Sequence, residues 1–457
     1  MTDPVRFVAV IDIGKTNAKV ALVDLHSMRE TAIRRMPNRA RRHGPYPHHD
    51  VDVLWRFILD ALGELNRETP VDAVSVTTHG ATVAVLDADG ALALPVQDYE
   101  HDGPDELADA YDRARPPFAE TGSPRLPVGL NYGAQLFWQQ ARFPDAWASV
   151  KTILPYAQYW SYRLSGVMAG EATSLGCHSD LWNPWEKKPS SLAESQNWVP
   201  LMAPVRKASD RLGPILPAVA QATGLKADTP VFCGIHDSNA SLLPHLLANH
   251  APFSVVSTGT WVITMAVGGQ APSLDPARDT LVNVSALGEP VPSARFMGGR
   301  EYEKLVGSET IAWDEADAAA VLDRQAMLLP SVQRGSGPFP HRESTWVNGQ
   351  GLSPAERHVA VSFYLALMTS TCLDLIGAEG ETILEGSFTQ NPLFARMLAS
   401  ATGRPVRVAA QGGTGTSIGA ALLAAPAGTR FAEEGAVVSP DPALVPYAKA
   451  WQQKLED

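Results

Sequence analysis

The sequence predicts a two-domain α/β protein, and three observations carry that prediction. Apolar runs of strand length, such as 7–13 (FVAVIDI) and 229–235 (TPVFCGI), alternate with stretches of helical periodicity. A strand, a turn containing Gly and Thr, and a second strand occur twice, at 7–25 and 254–267, about 245 residues apart. The chain of 457 residues also has the length for two or three domains of about 150 residues. The repeated hairpin places the boundary near 245–253, hence an N-terminal domain over 1–248 and a C-terminal domain over 249–457.

Each element follows from its local pattern. Residues 7–13 are continuously apolar and read as a buried strand; Gly14-Lys15-Thr16-Asn17 breaks it, and 18–25 resumes as its hairpin partner. Val51, Leu54, Trp55, Ile58, Leu62 and Leu65 recur at three- and four-residue steps, so 49–68 is a helix. Strands follow at 72–80, 81–87 and 91–94, the last two joined by a turn at Asp87-Ala88-Asp89-Gly90. The segment from about 98 to 227 is rich in Trp, Tyr and Pro and has mixed periodicity. After the strand at 229–235, residues 238–247 are helical in pattern with Pro244 inside. Ser353, Pro354 and Glu356 form a helix start with an N-cap, a first-turn proline and a capping box, and the helix runs to about Ile376. A strand at 381–384, a helix at 391–402, a strand at 405–409, a glycine loop at 411–415 and a small-residue helix at 416–425 complete the pattern.

Charge and composition exclude several classes. The 37 Lys and Arg against 49 Asp and Glu give a formal charge of −12, which argues against generic binding to nucleic acid or anionic membrane. A 45% hydrophobic and 19% charged composition is that of a globular chain. No continuous apolar run reaches the ~18 residues of a membrane span, and no signal peptide pattern precedes the first strand. Cys177, Cys233 and Cys372 lack metal or disulfide spacing, which predicts reduced thiols and a cytoplasmic protein. Six arginines at 29, 34, 35, 39, 41 and 42 read as a solvated loop or hairpin tip, with a subunit contact, as in a homodimer, left open.

Two familiar nucleotide motifs fail on spacing. Gly14-Lys15-Thr16 lacks the glycine five residues earlier that a P-loop needs, since Ala9 stands there, and it leads into a strand. The loop at 412–415 places Ile418 where a Rossmann fingerprint needs its last glycine. Two small-residue hairpin turns offer a different phosphate chemistry, through backbone N–H groups and hydroxyls. Asp12, just before the first turn, suits Mg²⁺ held through water, with Lys15 or Lys19 adding positive charge. Asp237, at the end of a strand and before Ser238-Asn239, suits a general base or a helix N-cap. His236 beside it and His79 at another strand end suit either packing or the same site.

These residues together resemble the FGGY carbohydrate kinases, in the actin-like ATPase superfamily. The resemblance rests on Asp12-Ile13-Gly14-Lys15-Thr16, Val76-Thr77-Thr78-His79-Gly80, Gly234-Ile235-His236-Asp237, Ser257-Thr258-Gly259-Thr260, Gly386 with Asn391, and the 412–425 loop and helix, in family order over nearly the whole chain. It is nearest to the rhamnulokinase, fuculokinase and related ketose-kinase branch. It implies two ribonuclease-H-like domains with mixed sheets flanked by helices, and ATP and sugar in the cleft between them. It implies an ATP- and Mg²⁺-dependent phosphotransferase acting on a hydroxyl of a small ketose or polyol, with Asp237 as base and Asp12 serving the metal. Gly14, Lys15, Thr16, Asn17, Thr258, Gly259, Thr260, Gly386, Ser387, Asn391, Gly412 and Gly413 would face the nucleotide. His79, Gly80, Asp98, His236, Asp237, Asn239 and Trp261 would face the sugar. The chain departs from the family pattern at Lys15, at His236, at Glu385, and at Gln97-Asp98-Tyr99-Glu100-His101, which replaces a Trp-x-Asp-x-Arg segment. An actin-like ATPase without a small acceptor and a sugar-responsive regulator are the rival readings.

Overall fold

A computed structural model describes residues 5–272, 274–307, 311–410, 415–426, 429 and 435–456. The chain forms two compact units, one of Met1–Ala248, Val282–Pro290 and Gly412–Phe431, the other of Asn249–Leu281, Val291–Gln411 and Ala432–Asp457.

In the first unit the sheet is built from β1 (Phe7–Ile13), β2 (Asn17–Asp24), β3 (Arg29–Pro37), β4 (Ala73–Thr78), β5 (Arg211–Pro214), β6 (Pro230–Phe232) and β7 (Ile235–His236). Its order is β5-β6-β4-β1-β2-β3, and β7 also pairs with β4. β1 and β2 form the antiparallel hairpin, whereas β1 and β7 both run parallel to β4. Three strands therefore end side by side, with Ile13 opposite Thr78 and Thr78 opposite His236.

Alternation along β1 decides what its last polar residue faces. Ala9, Ile11 and Ile13 pack with α1 (Val51–Glu68) and α2 (Tyr156–Ser165) on one face. Val8 and Val10 pack on the opposite face with α3 (Asp237–Ala248) and the helix Thr416–Leu422. Asp12 shares the parity of Val8 and Val10, so it lies on the face where α3 begins with Asp237.

α3 runs through Pro244 without breaking. A proline there cannot donate to the carbonyl four residues back. That carbonyl, Ala240 O, lies against Gly419, where a Cβ would come within 1.7 Å of it. The small-residue helix belongs with the first unit because only such residues allow this approach.

Of the six arginines, Arg39 and Arg42 lie outside the strands, and the other four do not. Arg29, Arg34 and Arg35 stand on β3, the edge strand. Arg34 pairs with Glu64 and Glu68 of α1, and Arg41 with Asp50, so part of the cluster ties the edge strand to its neighbouring helix. Residues 91–94 form no strand; only an isolated bridge joins Leu92 to Leu86.

In the second unit the same hairpin recurs as β8 (Phe253–Thr258) and β9 (Val262–Val267), followed by β10 (Pro290–Phe296), β11 (Glu381–Gly386), β12 (Val406–Ala409) and β13 (Gly435–Val438). The order is β10-β9-β8-β11-β12-β13, with β8 antiparallel to β9 and parallel to β11. Helices α4 (Gly298–Val306), α5 (Pro354–Leu375) and α6 (Pro392–Thr402) flank it. α5 opens with the capping box: Glu356 N donates to Ser353 Oγ at 3.1 Å and Ser353 N to Glu356 Oε2 at 2.7 Å. By length and mean hydropathy α5 would suit a bilayer, yet it is almost wholly buried in the core of its own unit.

Candidate active site

The first unit gathers its chemistry where β1, β4 and β7 end. Asp12 pairs across the hairpin with Lys19, whose Nζ lies 3.3 Å from Asp12 Oδ2 and 3.1 Å from Glu30 Oε1. Burial raises the Asp12 carboxyl, Lys19 opposes that rise, and the Asp237 charge adds to it. Among the described residues no three His, Cys, Asp or Glu side chains converge on a metal position. A half-buried carboxylate near the charge of a second suits a Mg²⁺ ion that keeps most of its waters and rests on phosphate, not a cage of protein ligands.

The first turn is held by its backbone. Gly14 N donates to Asn17 O at 2.9 Å, Asn38 N to Thr16 O at 2.8 Å, and Asn38 Nδ2 to Gly14 O at 2.7 Å. Asn17 Nδ2 lies 3.1 Å from Thr16 Oγ1. The Lys15 ammonium pairs with Asp98, sits 3.2 Å from Glu100 Oε2, and lies 4.5 Å from the centre of the Tyr99 ring. Burial alone would raise the Asp98 carboxyl, but Lys15 and the Glu100 N–H outweigh it and hold it below the usual range. Two departures from the family pattern, Lys15 and the 97–101 segment, are thus partners of each other.

His79 closes β4. Its Nδ1 lies 2.8 Å from Gly80 O, so Nδ1 carries the hydrogen and Nε2 is a bare acceptor. Nε2 is buried and has no hydrogen-bond partner among the described residues. Burial lowers the pKa of His79, which keeps it neutral. The His49, Tyr99 and Tyr156 rings all lie 5.4 Å from it, centre to centre. His49 is pushed down to about 3, by burial first and by His79 second. His49, Tyr156 and Gln97 each bury polar side-chain atoms without a partner among the described residues. Gln97 opens the 97–101 segment that departs from the family pattern, whereas no sequence signal marked His49 or Tyr156. His49 and Tyr156 lie far apart in the chain, in stretches that carry no motif.

Asp237 is the first residue of α3 and its side chain is 35% exposed. Ser238 N donates to Asp237 Oδ1 at 2.6 Å and His236 Nε2 lies 3.1 Å from the same oxygen. Burial raises the Asp237 carboxyl, and His79 and the Ser238 bonds oppose the rise. A carboxylate raised in this way accepts a proton more readily than an ordinary aspartate. His236 is buried and pushed down to about 4, so it too is neutral. Asn239 Nδ2 lies 3.3 Å from His236 Nδ1. Gly80 leaves the room this requires, since a Cβ there would sit 2.7 Å from His236 Nε2.

The second unit presents a different surface. Thr258 Oγ1 donates to Glu385 O at 2.6 Å and accepts from Phe388 N at 2.9 Å, so its hydroxyl staples β8 to β11. Gly386 has φ +86°, and a Cβ there would come 1.9 Å from Thr258 O. Ser387 Oγ reaches the same carbonyl at 3.4 Å. Gly259 and Thr260 are exposed, with Gly299 of α4 so close that a Cβ on it would lie 2.0 Å from Gly259 O. A cavity of about 810 Å³ opens beside them, lined by Arg300, Tyr302, Trp313, His358, Phe388 and Asn391 among others. That volume suits a nucleoside. Asn391 lines the cavity but spends its side chain on structure: Oδ1 caps α6 through Phe394 N at 3.1 Å and Nδ2 reaches Ser362 Oγ at 2.9 Å. Trp261 stands in this unit under the Arg295 guanidinium, 5.1 Å from the ring centre. Gly412 and Gly413 lie outside the described residues.

Comparison with known proteins fits both units. Residues 7–244 match the model of the N-terminal domain of the FGGY family of carbohydrate kinases, and residues 250–432 the model of the carbohydrate kinase FGGY C-terminal domain. The chain is 40% identical to a carbohydrate kinase from Novosphingobium aromaticivorans of known structure, with a TM-score of 0.91 and 99% of both chains covered. It shares its fold with the xylulose kinase from Rhodospirillum rubrum, at a TM-score of 0.76 and 19% identity over 99% of this chain and 98% of that one. Among curated proteins, it is 23% identical over 275 residues to the L-fuculokinase of Salmonella typhi, covering 58% of this chain and 57% of that protein. It is 24% identical over 283 residues to the L-xylulose/3-keto-L-gulonate kinase of Escherichia coli, covering 56% of this chain and 53% of that protein. The chain thus spans a little over half the length of these curated relatives. With family models over both units and a 40% identical structural relative along its whole length, this chain belongs to the FGGY family of carbohydrate kinases.

Proposed function

We propose that the protein transfers the γ-phosphoryl group of ATP to a hydroxyl of a small ketose or polyol, with Asp237 as general base. One observation carries the proposal: a partly exposed carboxylate of raised pKa stands beside His236 at one strand end, and His79, whose buried Nε2 has no partner among the described residues, stands at the end of the adjacent strand. The acceptor hydroxyl donates its proton to Asp237 as its oxygen bonds to phosphorus, while His79 Nε2 accepts from a neighbouring sugar hydroxyl. Phosphoryl transfer asks chiefly for positioning and charge neutralisation. Mg²⁺, when bound with the nucleotide, would supply the latter, and Asp12 would hold it through water. The turn at Thr258-Gly259-Thr260 and the cavity of the second unit hold the nucleotide. Lys15, pinned on Asp98 and Glu100, shapes the sugar side.

A coupled ADP-release screen over ketopentoses, 6-deoxyketohexoses, tetruloses and polyols tests this reading. A sugar-stimulated rate that falls at least 100-fold in Asp237→Asn is expected. ADP release that no sugar stimulates would overturn it in favour of an ATPase without a small acceptor.

A further inference from the structure

Asp237 does not hold itself. Ser238 hydrogen-bonds one of its oxygens, Oδ1, through N at 2.6 Å and Oγ at 3.3 Å, and His236 Nε2 lies 3.1 Å from the same oxygen. Oδ2 receives no hydrogen bond from any described residue. The ring is neutral and the Asn239 amide nitrogen, which can only donate, lies 3.3 Å from Nδ1, so His236 carries its hydrogen on Nε2, the nitrogen beside Asp237 Oδ1. The main chain is fixed as well. His236 N donates to Thr173 Oγ1 at 3.0 Å, and Thr173 Oγ1 donates to the buried carboxylate of Glu171 at 2.5 Å.

We infer that His236 is a positioning residue: its Nε2–H, with the tautomer set by Asn239, fixes the rotamer of Asp237 and leaves Oδ2 as the oxygen that takes the substrate's proton. This rests on Asp237 being the base. It assigns His236 to the carboxylate and not to the sugar, and it explains why a histidine stands where the family often has glycine. It also explains Gly80, whose missing side chain is the space the ring occupies. The ring is 5% exposed, so it cannot swing out to serve a ligand instead.

The test compares His236→Leu, which removes the donor, with His236→Gln, whose amide nitrogen can stand where Nε2 stands. Leucine is expected to lower kcat about 30-fold through misplacement of the base, with the sugar KM changed less than about twofold. Glutamine is expected to recover kcat to within about threefold. A raised sugar KM with unchanged kcat in His236→Leu would make His236 a substrate ligand and overturn the inference. So would equal kcat in both variants and wild type. Should the leucine variant fail to fold, the imidazole ¹⁵N spectrum of the wild-type protein decides, with the His236 resonances identified by their loss in His236→Gln. A neutral Nε2–H tautomer is expected; an Nδ1–H tautomer or an imidazolium at neutral pH overturns the inference. Asp237→Asn separates the two failures. If it stays within tenfold of wild type, the base reading falls and this inference with it; if it is inactive while His236→Leu is not impaired, only this inference falls.

Discussion

The two hairpins are built alike and finished differently. In both units an antiparallel pair, β1-β2 or β8-β9, lies beside a parallel strand, β4 or β11, and a tight turn closes the hairpin. In the first unit the strand ends carry ionisable and imidazole groups: Asp12, His79, His236 and Asp237. In the second they carry Thr258, Gly386 and Ser387, whose hydroxyls and close backbone contacts are spent on joining β8 to β11. On the proposed reading, one scaffold serves two tasks. Where a proton must move, the strand ends present groups with shifted pKa. Where a phosphate chain is to be gripped, they present neutral backbone, which needs glycine for close approach.

The comparison can be broken most directly at the base. Asp237→Asn should lower turnover at least 100-fold while leaving nucleotide binding by the second unit within about twofold, as measured by calorimetry with ATP analogues. Equal losses in both would mean that the two strand ends do not divide the work.

One glycine in each unit sharpens the contrast. Gly386→Ala places a Cβ against a backbone carbonyl at positive φ, and should cost about 2–4 kcal/mol of stability, read as a lowered melting temperature. Gly80→Ala instead presses on the His236 ring, so it should lower kcat about 10- to 100-fold with a smaller loss of stability. An alanine at 80 that changed only stability would deny the ring its role.

Acid should find the first unit before the second. His49 and His236, at about 3 and about 4 when folded, bind fewer protons than in the unfolded chain, so their contribution is lost as pH falls below about 6.5. Glu171 is fully buried and its carboxyl is pushed up to about 7. It binds more protons folded than unfolded, so its contribution grows as pH falls from about 7 towards 4.5 and offsets part of the histidine loss. Glu171→Gln removes that offset. Between pH 7 and pH 5 the variant should lose about 2 kcal/mol more stability than wild type, measured by denaturant titration at both values. An identical loss would show that Glu171 is ionised in the folded protein at pH 5.

The smallest expected effect concerns Lys15, which the sequence set among nucleotide contacts. Lys15→Met should raise the sugar KM about fivefold, because Asp98 and Glu100 lose their partner, and leave the ATP KM within about twofold. The reverse pattern in initial-rate kinetics would return Lys15 to the phosphate.

Much of the fold was legible because its signals are local. The apolar run 7–13, the Ser353–Glu356 capping box and the repeated hairpin each declare themselves within a few residues. Asp12, His79 and Asp237 were legible because strand ends gather chemistry in α/β sheets. Arg29, Arg34 and Arg35, read as a solvated loop or hairpin tip, stand on an edge strand, which has an exposed face and shows no continuous apolar run. Pro244 obscured α3 because a proline interrupts the local helical pattern, whereas the helix runs on through it in the folded unit.

By itself, then, the sequence determined the two-part α/β plan, the hairpins and the strand ends on which reactive groups stand, since periodicity and turn chemistry act between near neighbours. Only the tertiary structure decided which of those groups face one another. It turned Lys15 onto Asp98, committed Asn391 to a helix cap and set His49 and Tyr156 against His79. It also joined Glu171, through Thr173, to the strand end that bears Asp237, across 63 residues of chain. Such contacts arise from burial that brings distant segments together, and burial of an ionisable group, which shifts its pKa, is a property of the packed sheet and not of any stretch of sequence.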